Sequence, residues 1–259
     1  MSAWIVAALV LVVTAGAHAE SAVDAVRARG ALRVGVKADA PPFGSLDARG
    51  RPVGFEIDLA RFFARVLFDD DRRAELVPVT TASRFETLSA GRIDVLIATV
   101  TATEERRRLL ALSDPYFVAG SLALVRNDSP VEELAALAGR PVAVVGGSVQ
   151  ARDVAALRSR PLVQVVASVA EGVDAVRSGR SDAFVYDDVV LLSLVRRDPA
   201  LRIVGPPLTP RPFVVAARRE DAALIRWVNG WLARMRRDGS YDELWHRHFG
   251  PFESHLVGG

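Results

Sequence analysis

Apolar and polar positions along this chain change period several times, and the changes mark out alternating strands and helices. Residues 31–36 form an apolar run that predicts a strand. The loop from Lys37 to Phe43 that follows is stiffened by Pro41 and Pro42. Ile57, Leu59, Phe62, Phe63, Val66 and Leu67 then fall on one broad face at helical spacing. Glu56 and Asp58 sit in the first turn, where the helix dipole favours acids. Three aspartates at 69–71 end that helix. Residues 75–79 read as a second strand, 84–90 as a short helix closed by Gly91, and 93–97 as a buried strand. The order β-α-β-α-β implies parallel strands joined by right-handed crossovers.

A further strand is expected at 122–125, and a second set of units follows it. Its strands fall at 142–145, 163–166 and 182–186, and its helices at about 149–158, 170–178 and 188–197. Pro206, Pro207, Pro210 and Pro212 then interrupt the pattern before a strand at 213–216. A long helix at 221–237 carries Leu224, Ile225, Val228, Trp231, Leu232 and Met235 along one face, and Gly239 separates it from a last helical piece. Two sets of units joined by two extended segments predict an α/β chain of two lobes with a two-strand hinge. Lobe 1 would span 20–118, lobe 2 would span 119–211, and 212–259 would return to lobe 1. The cleft between lobes is where a small ligand is expected.

Composition narrows the class. The chain has 259 residues, half of them apolar and a quarter charged, which suits a soluble globular protein. Net charge is only +2, and the arginine pairs are short and scattered among apolar or acidic residues, so no nucleic-acid track is expected. There is no cysteine, hence no disulfide framework and no lipid-modified cysteine. Residues 2–13 are nearly all apolar and lead to Ala17-His18-Ala19, which fits a secretory signal peptide at 1–19 cleaved after Ala19. No Lys or Arg precedes that run, as a start site assigned too far downstream would explain. A periplasmic location is expected.

The candidate chemistry centres on residues 98–116. The strand at 93–97 delivers Thr99, Thr101 and Thr103 in alternation, and a short helical turn carries Arg106. Hydroxyls and backbone N–H groups at a strand's C-terminal end face the crevice where open α/β sheets bind ligands. An arginine there offers a planar fork that matches both oxygens of a carboxylate. Read by itself, the same stretch is also compatible with a surface loop bearing a solvated arginine.

Several stretches together resemble the periplasmic solute-binding proteins of polar amino-acid ABC transporters. They are Gly54-Phe55-Glu56-Ile57-Asp58-Leu59, Gly91-Arg92-Ile93-Asp94-Val95, Thr101-Ala102-Thr103-Glu104-Glu105-Arg106 and Ser113-Asp114-Pro115-Tyr116. Asp182-Ala183-Phe184-Val185-Tyr186-Asp187 and Asp238-Gly239-Ser240-Tyr241 complete the set, in family order across nearly all of the mature chain. The resemblance implies a type II periplasmic-binding-protein fold, each lobe a mainly parallel sheet flanked by helices. It implies a small amino acid as ligand, a membrane permease as partner, no cofactor or metal, and a monomer. Arg106 falls on the arginine that clamps the ligand carboxylate, Thr101 on the assisting hydroxyl, and Thr99 on a carbonyl that holds the ammonium. Ser148 and Val149 fall on the turn that offers N–H groups to the carboxylate, Val149 through its backbone alone. Asp187 falls on the acid that pairs with the ammonium, with a helix N-cap as its alternative role, and Asp188 beside it could share the two tasks.

Lys37 and Arg84 resemble the aspartate/glutamate-binding branch, and charge counting agrees. Lys37, Arg84 and Arg106 against Asp187 leave about +2, which a dicarboxylic amino acid would offset. The alternative is that Lys37 and Arg84 face solvent or pair with Asp39 or Glu86, which would admit a neutral or basic amino acid. A dehydratase-like enzyme on the same scaffold is the other rival. His246, His248 and His255 sit near the C-terminus and His18 in the signal segment, so a cleft acid such as Asp187 or Asp188 would have to serve.

Overall fold

A computed structural model describes residues 21–250. The expected signal segment with its cleavage point, His18 and His255 lie outside the described residues.

Helix α1 (Ala22–Arg29) leads into β1 (Leu32–Val36), and a small antiparallel sheet follows, built from β2 (Asp39–Ala40), β3 (Gly44–Leu46) and β4 (Pro52–Val53). Helix α2 (Phe55–Phe68), β5 (Ala74–Pro78), α3 (Arg84–Ser89), β6 (Val95–Ile97) and α4 (Glu104–Leu109) complete the first set. Strand β7 (Leu110–Arg126) carries the chain onward to β8 (Pro141–Val145), α5 (Val149–Ala155), β9 (Leu162–Val166), α6 (Val169–Arg177), β10 (Ala183–Asp187) and α7 (Asp188–Val195). Strand β11 (Leu201–Arg218) returns it to α8 (Ala222–Asp238) and α9 (Ser240–Phe249).

The main sheet runs β5-β1-β6-β11-β7-β10-β8-β9. β5, β1 and β6 are mutually parallel, as are β10, β8 and β9, while β7 and β11 pair antiparallel to each other down the middle. The two parallel sets are the sheets of two lobes, and β7 with β11 joins them. β6 and β10 are buried at every position, which is why their sequences read as apolar runs up to the closing Asp187 of β10. The last helices fold back on the first lobe: Phe249 of α9 sits 5.1 Å from Phe43, 5.0 Å from Phe55 and 4.7 Å from Phe117, ring centre to ring centre.

Two expectations need correction. The strands expected at 122–125 and 213–216 are the interiors of strands of 17 and 18 residues. Pro206, Pro207, Pro210 and Pro212 do not break the second one. They fall where the β7–β11 register shifts, between Val204 and Leu208 and again between Leu208 and Arg211, or just past it. A residue without an N–H is tolerated where the ladder is already irregular. The small β2–β4 sheet carried no usable signal, since its strands are two or three residues long. We propose lobe boundaries at 118/119 and 211/212, the second within the stretch from Val204 to Ala216 where the β7–β11 register shifts repeatedly.

Gly120 marks the crossing of β7 between lobes. Its N–H donates to Asp188 Oδ2 at 2.7 Å, and a Cβ at 120 would lie 2.8 Å from that oxygen and 3.2 Å from Pro207 Cβ. Asp188 cannot swing aside freely, because Oδ1 also accepts the Val189 N–H at 2.7 Å. Gly120→Ala should therefore destabilise the fold by about 1–3 kcal/mol, read as a lower urea midpoint with an unchanged slope.

Candidate functional site

The loops after β6, β8 and β10 all open toward the gap between lobes. A narrow cavity lies there, lined by Thr81, Arg84, Thr99 and Thr101 from the first lobe and by Ser148, Val149, Gln150, Tyr186 and Asp187 from the second. Six of the eight residues expected at the site line it. Arg106 and Lys37 stand just behind the wall.

Arg106 comes from the one-and-a-half turns of α4, whose N-cap Thr103 accepts the Arg106 N–H at 3.2 Å. Its side chain is 8% exposed; Nη1 donates to Thr101 O at 2.8 Å and Nη2 to Gly147 O at 3.3 Å. The second bond spans the lobes. Gly147 has φ of 76°, and a Cβ there would lie 3.1 Å from Thr81 O, so the two lobes meet through backbone at this point. Burial, with the neighbouring Arg84 and Arg152 charges, pulls the Arg106 guanidinium down to about 9. It is still a cation at neutral pH. The Phe85 ring supports it from 4.8 Å and lies 5.0 Å from the Arg84 guanidinium carbon.

Across the gap, Asp187 ends β10 and is buried. It makes no side-chain cap to α7; that task falls to Asp188 through Val189 N. The two acids divide the work, one toward the cavity and one toward the hinge. Gln150 donates from Nε2 to Asp187 Oδ1 at 2.7 Å and to Ser121 Oγ at 2.9 Å. Burial first, and then the Asp188 charge, pushes the Asp187 carboxyl up to about 7. Ser148 caps α5 by accepting the Ala151 N–H at 3.4 Å.

Lys37 and Arg84 are placed otherwise than the charge count assumed. Lys37 is buried, but its Nζ lies 2.8 Å from Asp39 Oδ1 and donates to Thr81 Oγ1 at 3.0 Å. Burial lowers its pKa, opposed by the Asp39 charge. Arg84 spends Nη1 on the carbonyls of Ala98, at 2.6 Å, and Thr99, at 3.1 Å. Glu56, expected only as a first-turn acid within a family-like stretch, is also here: Oε1 accepts the Thr99 N–H at 2.6 Å and the Tyr116 hydroxyl. Burial pushes its carboxyl up to about 7. Three cations thus face Asp39, Glu56 and Asp187, so the fully ionised site is balanced rather than at +2. His248, near the C-terminus, lies against Asp58 at 2.9 Å. No group of three or more His, Cys, Asp or Glu that could hold a metal ion occurs among the described residues.

The comparisons fall into line with this geometry. The family model described as "Bacterial extracellular solute-binding proteins, family 3" matches residues 32–251, and the chain belongs to that family. It is 32% identical over 213 residues to the ABC transporter glutamine-binding protein GlnH of Bacillus subtilis, covering 82% of this chain and 78% of the relative. Among solved structures, a mutant of ArgBP from T. maritima superposes with a TM-score of 0.83 at 34% identity, covering 88% of this chain and 99% of that one. An ancestral arginine-binding protein bound to glutamine does so with a TM-score of 0.80 at 35% identity, covering 86% and 99%. The Escherichia coli glutamate/aspartate import solute-binding protein matches at 24% identity over 89% of this chain and 80% of its own length. The family and fold expected from the sequence are therefore right, while the likeness to the glutamate/aspartate branch is distant. No helix among the described residues is long and apolar enough to cross a membrane.

Proposed function

We propose that this protein binds a free amino acid with a neutral polar side chain, glutamine foremost, outside the cytoplasm. It would act as a single copy and hand the ligand unchanged to an ABC transporter permease. The observation that carries this reading is the pairing of one buried cation and one buried carboxylate around a cavity built from both lobes. Arg106, with the Thr101 hydroxyl and the backbone at Ser148 and Val149, takes the ligand carboxylate. Asp187, with the Thr99 carbonyl, takes the ammonium. A zwitterion leaves the balanced site balanced. The glutamate or aspartate expected from Lys37 and Arg84 would bring an extra negative charge to a site whose three cations Asp39, Glu56 and Asp187 already match in number. The glutamine in the names of two similar proteins supports the same choice.

Closure follows from contacts on both lobes, since a ligand shifts an equilibrium only by its differential affinity for the two states. The Glu105–Arg152 pair at 2.5 Å and the Ser193 hydroxyl on Pro41 O, at 3.1 Å, join the lobes away from the cavity. Both members of the ion pair are more than half exposed, so it adds little of its own.

A thermal-shift screen of the mature chain against single amino acids tests the reading. At a hundredfold excess over Kd, glutamine should raise the melting point by about 5–10 °C. Glutamate and aspartate should do less. A larger shift with either of them would restore Lys37 and Arg84 to the ligand; no shift with any amino acid would sink the reading, and turnover of a small carboxylate would then be the assay to run.

A further inference from the structure

Thr99 is strained. Its φ is 47°, in the left-handed region that a β-branched residue rarely enters. Such a conformation persists only when its surroundings enforce it. Both ends of the residue are gripped by buried charged side chains. On the N–H side, Glu56 Oε1 accepts at 2.6 Å; on the carbonyl side, Arg84 Nη1 donates to Thr99 O at 3.1 Å and to Ala98 O at 2.6 Å. Glu56 is wholly buried and comes from α2, none of whose residues lines the cavity itself. Its Oε1 also accepts from Tyr116 of the long strand β7. Thr99 and Thr101, on either side of Val100, both line the cavity, so the turn that Glu56 holds is the one that faces the ligand.

We propose that Glu56 is a positioning residue for ligand capture, a brace in the core that, with Arg84, holds Thr99 in its left-handed conformation and so sets the Thr99–Thr101 wall of the cleft. This rests on the amino-acid-binding reading, and it reassigns Arg84 from ligand recognition to support of the backbone. A buried carboxylate is a costly device for filling space, and an apolar side chain would serve packing better. Its use is directional: two donors converge on one oxygen, and one of them is the N–H of the strained residue.

Glycine enters the left-handed region freely, which gives a sharp test. Glu56→Ala should weaken glutamine binding by about tenfold or more in isothermal titration, whereas Glu56→Gln, whose amide oxygen can still accept both hydrogens, should stay within about threefold. Introducing Thr99→Gly should recover most of the loss in Glu56→Ala and change Glu56→Gln little, a non-additivity that a double-mutant cycle isolates. A role in packing or in charge alone predicts no such rescue. If Thr99→Gly leaves the Glu56→Ala defect intact, or if Glu56→Gln is as damaging as Glu56→Ala, the brace is wrong. The same cycle read in melting temperature without ligand judges the brace independently: the coupling should appear there even if the wild-type protein binds no glutamine, in which case the functional reading alone fails.

Discussion

Arg106→Ala should abolish detectable capture: we expect Kd for glutamine to rise by a hundredfold or more, and the ligand-induced thermal shift to disappear. The guanidinium is held rigid by Thr101 O and Gly147 O and supported by the Phe85 ring, so it meets a carboxylate without further ordering. Removing one partner of a buried charge pair costs about 3–5 kcal/mol, because the other is left unpaired in a desolvated site. That corresponds to between two and four powers of ten in Kd. Arg106→Lys keeps the charge but not the fork, and should recover part of the loss. The ligand-free protein should lose little stability, since burial and the Arg84 charge already weigh against the cation. A melting point that holds while binding vanishes would separate recognition from folding. An unchanged Kd would remove Arg106 from the site.

The fold was largely legible because period and punctuation agree: apolar runs where strands are buried on both faces, helical spacing where one face is. The hinge was harder. Long strands crossing between lobes alternate their environment along their length, and four prolines in β11 imitate a break that the register shifts in fact absorb. At the site, the alternating threonines, the arginine that follows them and Asp187 stood out in the sequence, and the fold brings them together at the gap between lobes. For Lys37 the alternative of a pair with Asp39 is the one the structure bears out, whereas the backbone carbonyls that Arg84 takes could not be read, because side-chain direction is not set by spacing. Glu56 did carry a signal. It shares a face with Leu59, Ala60 and Phe63 at spacings of three, four and seven, all buried, whereas Asp58 shares one with Arg61 and Arg65. An acid on the apolar stripe of a helix has to be buried with a partner. Gln150 and Thr81 gave no comparable warning; a lone polar residue at a loop end is seldom distinctive.

Affinity should also rise with pH, through Asp187. Its carboxyl is pushed up to about 7, chiefly by burial and then by Asp188, against the Gln150 hydrogen bond and the Arg84 and Lys37 charges. An ammonium bound beside it stabilises only the ionised form, so binding expels the proton that the free site holds. Below pH 7 the apparent Kd should therefore climb by about tenfold per unit, and above pH 8 it should level off. An amino acid remains a zwitterion throughout this range, and Arg106, pulled down only to about 9, stays charged below pH 7 where the slope is read. Asp187→Asn should weaken binding by about a hundredfold at pH 8 and flatten the profile; titration at pH 5.5, 7 and 8.5 reads both effects. Stability moves in the opposite sense. Glu56 and Asp187 hold protons more tightly folded than unfolded, so the ligand-free protein should lose stability as pH rises from about 4 to 7 and change little beyond. The mildly acidic protein is thus the more stable and the less able to bind. If affinity were instead flat from pH 5.5 to 8.5 in the wild type, the ligand ammonium would have to rest on neutral acceptors such as the Thr99 carbonyl, and Asp187 would serve only to hold Gln150.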